Sequence, residues 1–387
     1  MRSLPVYIIA ARRTAIGRIG GLHRLRRVED LAAPVVEAVL KDASVDVEQV
    51  DEIIVGNCTA GDNPARLIAL ASGLPVAAMA TTVDQQCASG LEAILSAARR
   101  IAAGEADIIV AGGVESLSTA PWRIAKPRSL FQTPHFIRPE PMGAPAMAEH
   151  VPHTSLEGLA GRLGISRTEQ DAWALASHAK ATEAREARRF VGEIVPLRST
   201  TEEARDQSAV DPDAEDLADL EPIAGEDGTL TTGNISALHD GAAFVVLISE
   251  AEWEKRGRPP ALSPVVNAAL GVEPGQEGAA PIAAVQKLYG RLNGFDRSTI
   301  SAFELSEASA VQAIALCREL GLDEAKINPD GGAVVRGHPL GASGAVLVTR
   351  LFSRLVRNGQ KARGPHYGVA ALGANGGLGL AAMFERR

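Results

Sequence analysis

Cysteine is scarce in this 387-residue chain: Cys58, Cys87 and Cys317 are the only three, and no two stand as CxxC. Neither a disulfide framework nor a zinc knuckle can be built from them, and a chain of this kind suits a reducing cytoplasm. Aromatic residues amount to 4%. No run approaches the roughly 18 apolar residues of a membrane span, and the apolar start VYIIAARR meets arginine too soon for a signal peptide. A soluble protein with no membrane partner is expected. Basic charge is not in excess either, with a net charge of −8 and a pI near 5.6. Phosphate backbones need a basic face, so nucleic acid is not expected as a partner. The cluster Arg24, Arg26, Arg27 is short and reads as a solvated face. No GxxxxGK[ST], no GxSxG and no GxGxxG after a strand occurs, which leaves nucleotide binding and serine hydrolysis unsupported.

What the chain has in quantity is Ala, Val, Ile, Leu and 38 glycines, with 46% hydrophobic residues. That mixture belongs to α/β proteins with buried parallel strands and tight turns, and the length suggests two or three domains. Over the first 118 residues, short apolar strands (6–10, 51–56, 107–113) alternate with amphipathic helical stretches (31–40, 90–103), the pattern of a sheet covered by helices. From Thr119 the chain turns Pro-rich and then strongly acidic, including a helix over 166–190 opened by the capping box Ser166 and Glu169. FVVLIS (244–249) resumes the first pattern. After Pro264 comes a strand near 301–305, helices near 308–320 and 343–356, and strands at 367–372 and 378–384. The expected division is a first α/β half of residues 1–118 plus 243–263, an inserted domain at 119–242, and a second half at 264–387. No residue-level repeat between the halves is visible.

Four segments carry chemistry. Cys87, in DQQCASGLEAI, precedes a helix, where unpaired N–H groups and the positive dipole end favour a thiolate, and Ala88, Ser89 and Gly90 leave room for a substrate. His338, in RGHPLGASGA, is presented by a Gly- and Pro-shaped turn and has the pKa range of a general base. The turn in GVAALGANGGLGLAAMFE (368–385) offers N–H groups to a developing oxyanion, although a glycine turn alone is also an ordinary hairpin. FELSEASA (303–310) places Ser306 and Glu307 between a strand end and a helix, alone no more than a cap. Cys58 and Cys317 read as packing thiols. Glu149, His150 and His153 include an HxxH spacing, but no further ligand supports a metal.

Together with GTLTTGNISALHDGAA (228–243), these segments resemble the thiolase family, and VYIIAARRTAIGRIGG, NPARLIALASGLP, AGGVESLSTAP, GISRTEQDAWALASHAKA and GHPLGASG extend the resemblance along nearly the whole chain. The resemblance implies an α/β fold of two similar βαβαβαβαα halves stacked as a five-layer αβαβα sandwich, with a loop domain that holds the acyl carrier. It implies that Cys87 is acylated, that His338 activates it, and that the N–H groups of Cys87 and Asn375 form one oxyanion hole. His338 and a water held by Ser306 would form a second, and Ser236 would lie near the pantetheine arm. The reaction implied is ping-pong: an acyl group moves from a coenzyme A thioester to Cys87, then to coenzyme A (thiolysis) or to another acyl thioester (Claisen condensation). No bound cofactor is implied, and a homodimer or homotetramer is.

Three departures from the family pattern bear on the second half-reaction. Gly373 stands where a cysteine usually takes the α-proton of the incoming acyl thioester, and 306–309 holds no cysteine either. Ser306 stands where asparagine is usual. In the inserted region the basic residue often presented to coenzyme A falls near Val210, among acidic residues, and a family histidine falls at Pro141. Acidic residues repel phosphates, so delivery by an acyl carrier protein is a further expectation. Decarboxylating condensation, as in β-ketoacyl synthases, and acyl transfer to a heteroatom acceptor both avoid α-proton removal. A non-catalytic thiolase-like binding subunit is the third alternative. His366 enters as a substitute acid/base by sequence distance alone.

Overall fold

The computed structural model describes residues 5–127, 129, 131–137, 152–198, 202–207, 212–273, 275–359 and 366–387. The first half comprises β1 (Val6–Arg13), β2 (Gly17–Arg18), α1 (Val28–Ala43), β3 (Glu52–Gly56), α2 (Pro64–Ala71), β4 (Met79–Val83), α3 (Ser89–Ala102) and β5 (Ile108–Glu115). Helices α4 (Pro152–Leu163), α5 (Arg167–Glu186) and α6 (Ala214–Ala218) come next, then β6 (His239–Ser249) and α7 (Glu250–Lys255). The second half comprises β7 (Leu262–Gly271), α8 (Ala280–Gly290), β8 (Ile300–Leu305), α9 (Ala310–Leu320), α10 (Ala333–Arg336), α11 (Leu340–Phe352), β9 (Tyr367–Ala374) and β10 (Leu378–Arg386).

The duplication invisible in the residues is plain in the pairing. The first half runs β4-β3-β5-β6-β1, and the second runs β8-β9-β10-β7. In the first, β3 is parallel to β4 and β5, whereas β5–β6 and β6–β1 are antiparallel. In the second, β8 is parallel to β9, whereas β9–β10 and β10–β7 are antiparallel. The counterpart of β4 has shrunk to one parallel bridge, Phe303 to Ile327. Among the described residues, the two sheets are paired through Ile8 and Leu262.

Side-chain alternation builds the layers, because successive residues of a strand point to opposite faces. Val245, Leu247, Ala370, Leu372, Leu380 and Ala382 face a central layer of α3 and α11. Phe244, Val246 and Ile248 face α1 and α2 on one outside. Val369, Ala371, Ala381 and Met383 face α8 and α9 on the other. The order is therefore helix, sheet, helix, sheet, helix, the five-layer α/β sandwich expected.

Two of the boundaries that differ from the sequence expectation do so for one reason: polar residues and glycines read as loop are buried structure. Strand β6 starts at His239, not Phe244, because His239 and Asp240 pair with β2 and are almost fully buried. Helix α11 starts at Leu340, three residues early, because Gly341 and Gly344 are contact points and not punctuation. A Cβ on Gly341 would meet the Asn57 backbone at 2.8 Å, and one on Gly344 would meet Leu91 N at 2.5 Å. The N-terminal turns of α3 and α11 thus cross backbone to backbone, which brings both helix starts to one place.

Gly113 on β5 is the tightest of these contacts, since a Cβ there would run into the Gly341 carbonyl. Neither partner is a flexible side-chain tip, so Gly113→Ala is expected to lower stability by about 3 kcal/mol, at the upper end for overpacking. Urea unfolding should show a lower midpoint at unchanged slope.

A buried ion chain holds α11 in register with the first half. Arg13 Nε on β1 donates to Glu193 at 2.6 Å and its Nη1 donates to Asp206 at 2.6 Å; Arg350 on α11 bonds Glu193 and Asp330. Burial raises the Glu193 pKa, but Arg350 and Arg13 outweigh it and hold the carboxyl at about 2. Glu193 answers Arg13 and Arg350, and Asp330 answers Arg350 and Arg189, which offsets the desolvation that makes isolated buried charges costly.

Candidate active site

The turn from β4 to α3 builds the surroundings of Cys87. Gln86 adopts φ 54°, a left-handed conformation uncommon for a non-glycine residue. Its carbonyl accepts from Ser89 Oγ at 2.6 Å, Ser89 N at 3.0 Å and Cys58 Sγ at 3.2 Å. Ser89 Oγ also accepts from Gln85 N at 2.8 Å. So staples on both sides of Gln86 hold the strained residue, and Cys87 follows it just before α3. Cys58, read as a packing thiol, is half-buried and one of these staples, whereas Cys317 is buried in the outer layer of the second half.

His338 arrives from the other half. Its N–H donates to Ala237 O at 2.8 Å, and its carbonyl accepts from His239 N at 3.1 Å. His239 Nδ1 donates to the same Ala237 carbonyl at 2.8 Å. The preceding Gly337 has φ 87°, and a Cβ there would strike the His239 ring. Presented this way, His338 Nε2 lies 2.9 Å from Cys87 Sγ and Nδ1 lies 2.8 Å from Ser343 Oγ. With Nδ1–H donating to Ser343, the Nε2 lone pair faces the thiol. The backbone N–H groups of Asn375 and Cys87 are also directed at the sulfur.

Burial governs the protonation of the pair. It pushes the Cys87 thiol up to about 11, against the pull of the Asn375 and Cys87 N–H groups, and pushes the His338 imidazole down to about 4. The resting state near pH 7 is a neutral thiol bonded to a neutral imidazole. From that state, attack of the sulfur on an acyl carbon would pass the thiol proton to Nε2. The pH profile of kcat/KM for the acyl donor should therefore be flat through pH 6.5, with its acid limb well below and its alkaline limb above pH 9. An acid limb at 6.5 would contradict this placement. The same shift acts on stability: below pH 6.5 the unfolded chain takes up a proton that buried His338 refuses until about pH 4. Stability is therefore lost as the pH falls through that window.

Two family models cover the chain: one described as the thiolase N-terminal domain over residues 6–251, and one described as the thiolase C-terminal domain over 262–386. The chain belongs to the thiolase family. It is similar to a β-ketoadipyl-CoA thiolase of Pseudomonas knackmussii, 38% identical over 99% of this chain and 100% of that one. It is similar also to an acetyl-CoA acetyltransferase of Chromobacterium violaceum, 37% identical over the same shares. Among solved structures, the Bacillus anthracis acetyl-CoA acetyltransferase superposes with a TM-score of 0.91 at 33% identity, covering 100% of this chain and 99% of that one. Acat5 thiolase from Ascaris suum, solved in complex with coenzyme A, gives 0.90 at 31% identity, covering 99% and 100%. This thiolase is an acyltransferase by family.

The other site residues are placed less fully. Ser306 is buried; its N–H donates to Ala371 O at 3.0 Å, and its Oγ has no partner among the described residues. Ser236 donates through N and Oγ to Ala308 O, at 3.0 and 3.2 Å, tying the 228–243 segment to SEAS. Gly373 is half-buried, and a Cβ there would lie 3.1 Å from Pro281 Cδ. His366 is a correction. It lies just before β9, seven residues from Gly373 and about 23 Å away along an extended strand, so it cannot serve this site. Val210, Pro141, Glu149 and His150 lie outside the described residues. Among the described residues no group of three His, Cys, Asp or Glu is gathered for a metal, and no helix is long and apolar enough to cross a membrane.

Sequence reading missed Ser343, His239 and Glu115. Glu115 ends β5 fully buried and accepts from Asn57 Nδ2, Cys58 N, Thr59 N, Thr59 Oγ1 and Gly341 N at 2.5–3.2 Å. It thereby ties the start of α11 to the loop beside Cys87. A carboxylate closing the apolar run DIIVAGGVE was the available signal, since buried charges require partners.

Proposed function

We propose that this thiolase takes an acyl group from a coenzyme A thioester onto Cys87, with His338 as the base, and passes it to coenzyme A or to the α-carbon of a second acyl thioester. The observation that carries the reading is the 2.9 Å contact between His338 Nε2 and Cys87 Sγ, made by the two central helix starts of the two halves. In the attack the thiol proton goes to Nε2, the sulfur bonds the acyl carbon, and coenzyme A leaves as its thiol after taking that proton back. The Cys87 and Asn375 N–H groups, already directed at the sulfur, are near enough to receive the oxyanion. Ser306, with an unpartnered buried hydroxyl, is suited to hold a water, and Ser236 to line the pantetheine path. The segment between β5 and β6 is read as the acyl-carrier-binding insertion. A cytoplasmic homodimer or homotetramer fits β4, an edge strand with Met79 63% exposed.

Incubation with acetyl-CoA followed by intact-mass and peptide mass spectrometry tests the first half-reaction. One acetyl group on Cys87 is expected, and its absence across several acyl chain lengths would refute the reading. A second reading, decarboxylating condensation or transfer to a heteroatom, is favoured by Gly373, which brings no proton-transfer group to the strand end. It predicts that malonyl thioester outperforms acetyl thioester as the second substrate.

A further inference from the structure

Helix α11 carries the catalytic histidine at its start and ends in a π-helical turn, Ser353–Arg357. Such turns recur at functional sites. Here the turn opens onto a cavity of about 320 Å³ between the starts of β8 and β9. Arg354 is fourteen residues from Leu340, about 20 Å along the helix, so the cavity sits at the opposite end of the central layer from Cys87.

Its lining is cationic. Arg189, Arg354, Arg386, His366 and Asn358 surround one carboxylate, Asp330. That carboxylate is already committed: one oxygen bonds buried Arg350, and the other accepts from Arg189 Nη1 at 2.9 Å. Among the described residues Arg354 has only a 3.9 Å approach to the same oxygen, and its side chain is 36% exposed. His366 Nε2 is buried and has no hydrogen-bond partner among the described residues. Unpartnered buried polar atoms are uncommon and call for an explanation. In the cavity beside α5 and α9 both cations are engaged, Lys180 with Glu324 O and Ile327 O and Arg318 with Leu163 O and Glu169. At the end of α11 Arg189 and Arg386 are engaged as well, Arg386 donating to Gly359 O, and Arg354 is the exception.

We infer that the cavity at the C-terminal end of α11 is an anion site for a phosphate group, held by Arg354 and His366 with Arg386 at its side. A guanidinium fork and an imidazole N–H offer several donors to one tetrahedral oxyanion, the charge-assisted geometry in which arginine is strongest. The phosphate is either free or the end of a phosphorylated metabolite, and the chemistry of the cavity is common to both.

The test is calorimetric titration of the full chain, without acyl thioester, using inorganic phosphate and glycerol 3-phosphate at constant ionic strength. At least one of them should bind at a single site, and Arg354→Gln should weaken it by about tenfold or more. The tighter probe identifies the source. His366→Ala should weaken the same probe, and an unchanged melting temperature in buffer shows that each variant is folded. Failure of both probes to bind, or equal binding by the Arg354 variant, would overturn the site. The readout is binding, so it stands apart from the fate of the acyl transfer reading.

Discussion

Cys87→Ala is expected to abolish the acyl-enzyme and to lower turnover by about 10⁵-fold or more, the scale seen when a covalent nucleophile is removed. The substitution is clean for structural reasons. The strain in this turn lies at Gln86, whose carbonyl is stapled by Ser89 and Cys58, and none of those bonds involves the Cys87 side chain. Alanine keeps the Cβ and gives up one half-buried sulfur, so the melting temperature should move by only a few degrees. Three consequences should coincide: no acetyl adduct, no burst of released coenzyme A, and retained binding of acetyl-CoA. Retained turnover above about one part in 10³ would mean that the acyl group passes directly between substrates or rests on another residue, with His338 serving some other nucleophile.

The fold and the meeting of Cys87 with His338 were legible for different reasons. Alternating short apolar runs and helices announce an α/β architecture by themselves, and the strand faces behave as alternation requires: Val245 and Leu247 to the centre, Val246 and Ile248 outward. The two similar halves were legible in that alternation, but a residue-level repeat was not, because the duplication lies in pairing order and one of its strands has shrunk to Ile327. Cys87 and His338 stand in segments whose small residues have a local meaning. What surrounds them does not announce itself. Ser343 looks like any helix serine until α11 is wound from Leu340, when its hydroxyl comes 2.8 Å from His338 Nδ1. His239 packs beside His338 only because Gly337 lacks a side chain. Glu115 gathers its donors from residues 57–59 and from Gly341, more than 200 positions away, and no local pattern encodes that meeting. Sequence distance misled in the opposite direction at His366, which is near Gly373 in number and a strand length away in space.

Gly373→Cys is expected to raise condensation between two acetyl thioesters by about 10²-fold, the lower end of what a positioned acid/base contributes. The position is close to the chemistry: two residues further on, the Asn375 N–H is directed at the Cys87 sulfur. A thiol there would give the α-proton of the acceptor somewhere to go, which the glycine does not. The gain is held to the lower end by crowding. The new Cβ would sit 3.1 Å from Pro281 Cδ, 3.3 Å from Glu277 O and 3.4 Å from Gln312 Nε2, so those neighbours must yield by a few tenths of an ångström. Gly373→Ala is the matched control, because it adds the same Cβ, and so the same strain, without the thiol. If the cysteine variant gains rate while the alanine variant only loses stability, the missing group at 373 is what limits the second half-reaction. If the two behave alike, α-proton removal is not the slow step, or another residue performs it. Malonyl thioester separates the readings further: its carbanion comes from loss of CO₂, so its rate with acetylated Cys87 should not rise in the cysteine variant. A gain of equal size with malonyl and acetyl acceptors would therefore assign the effect of the substitution to packing and not to proton transfer.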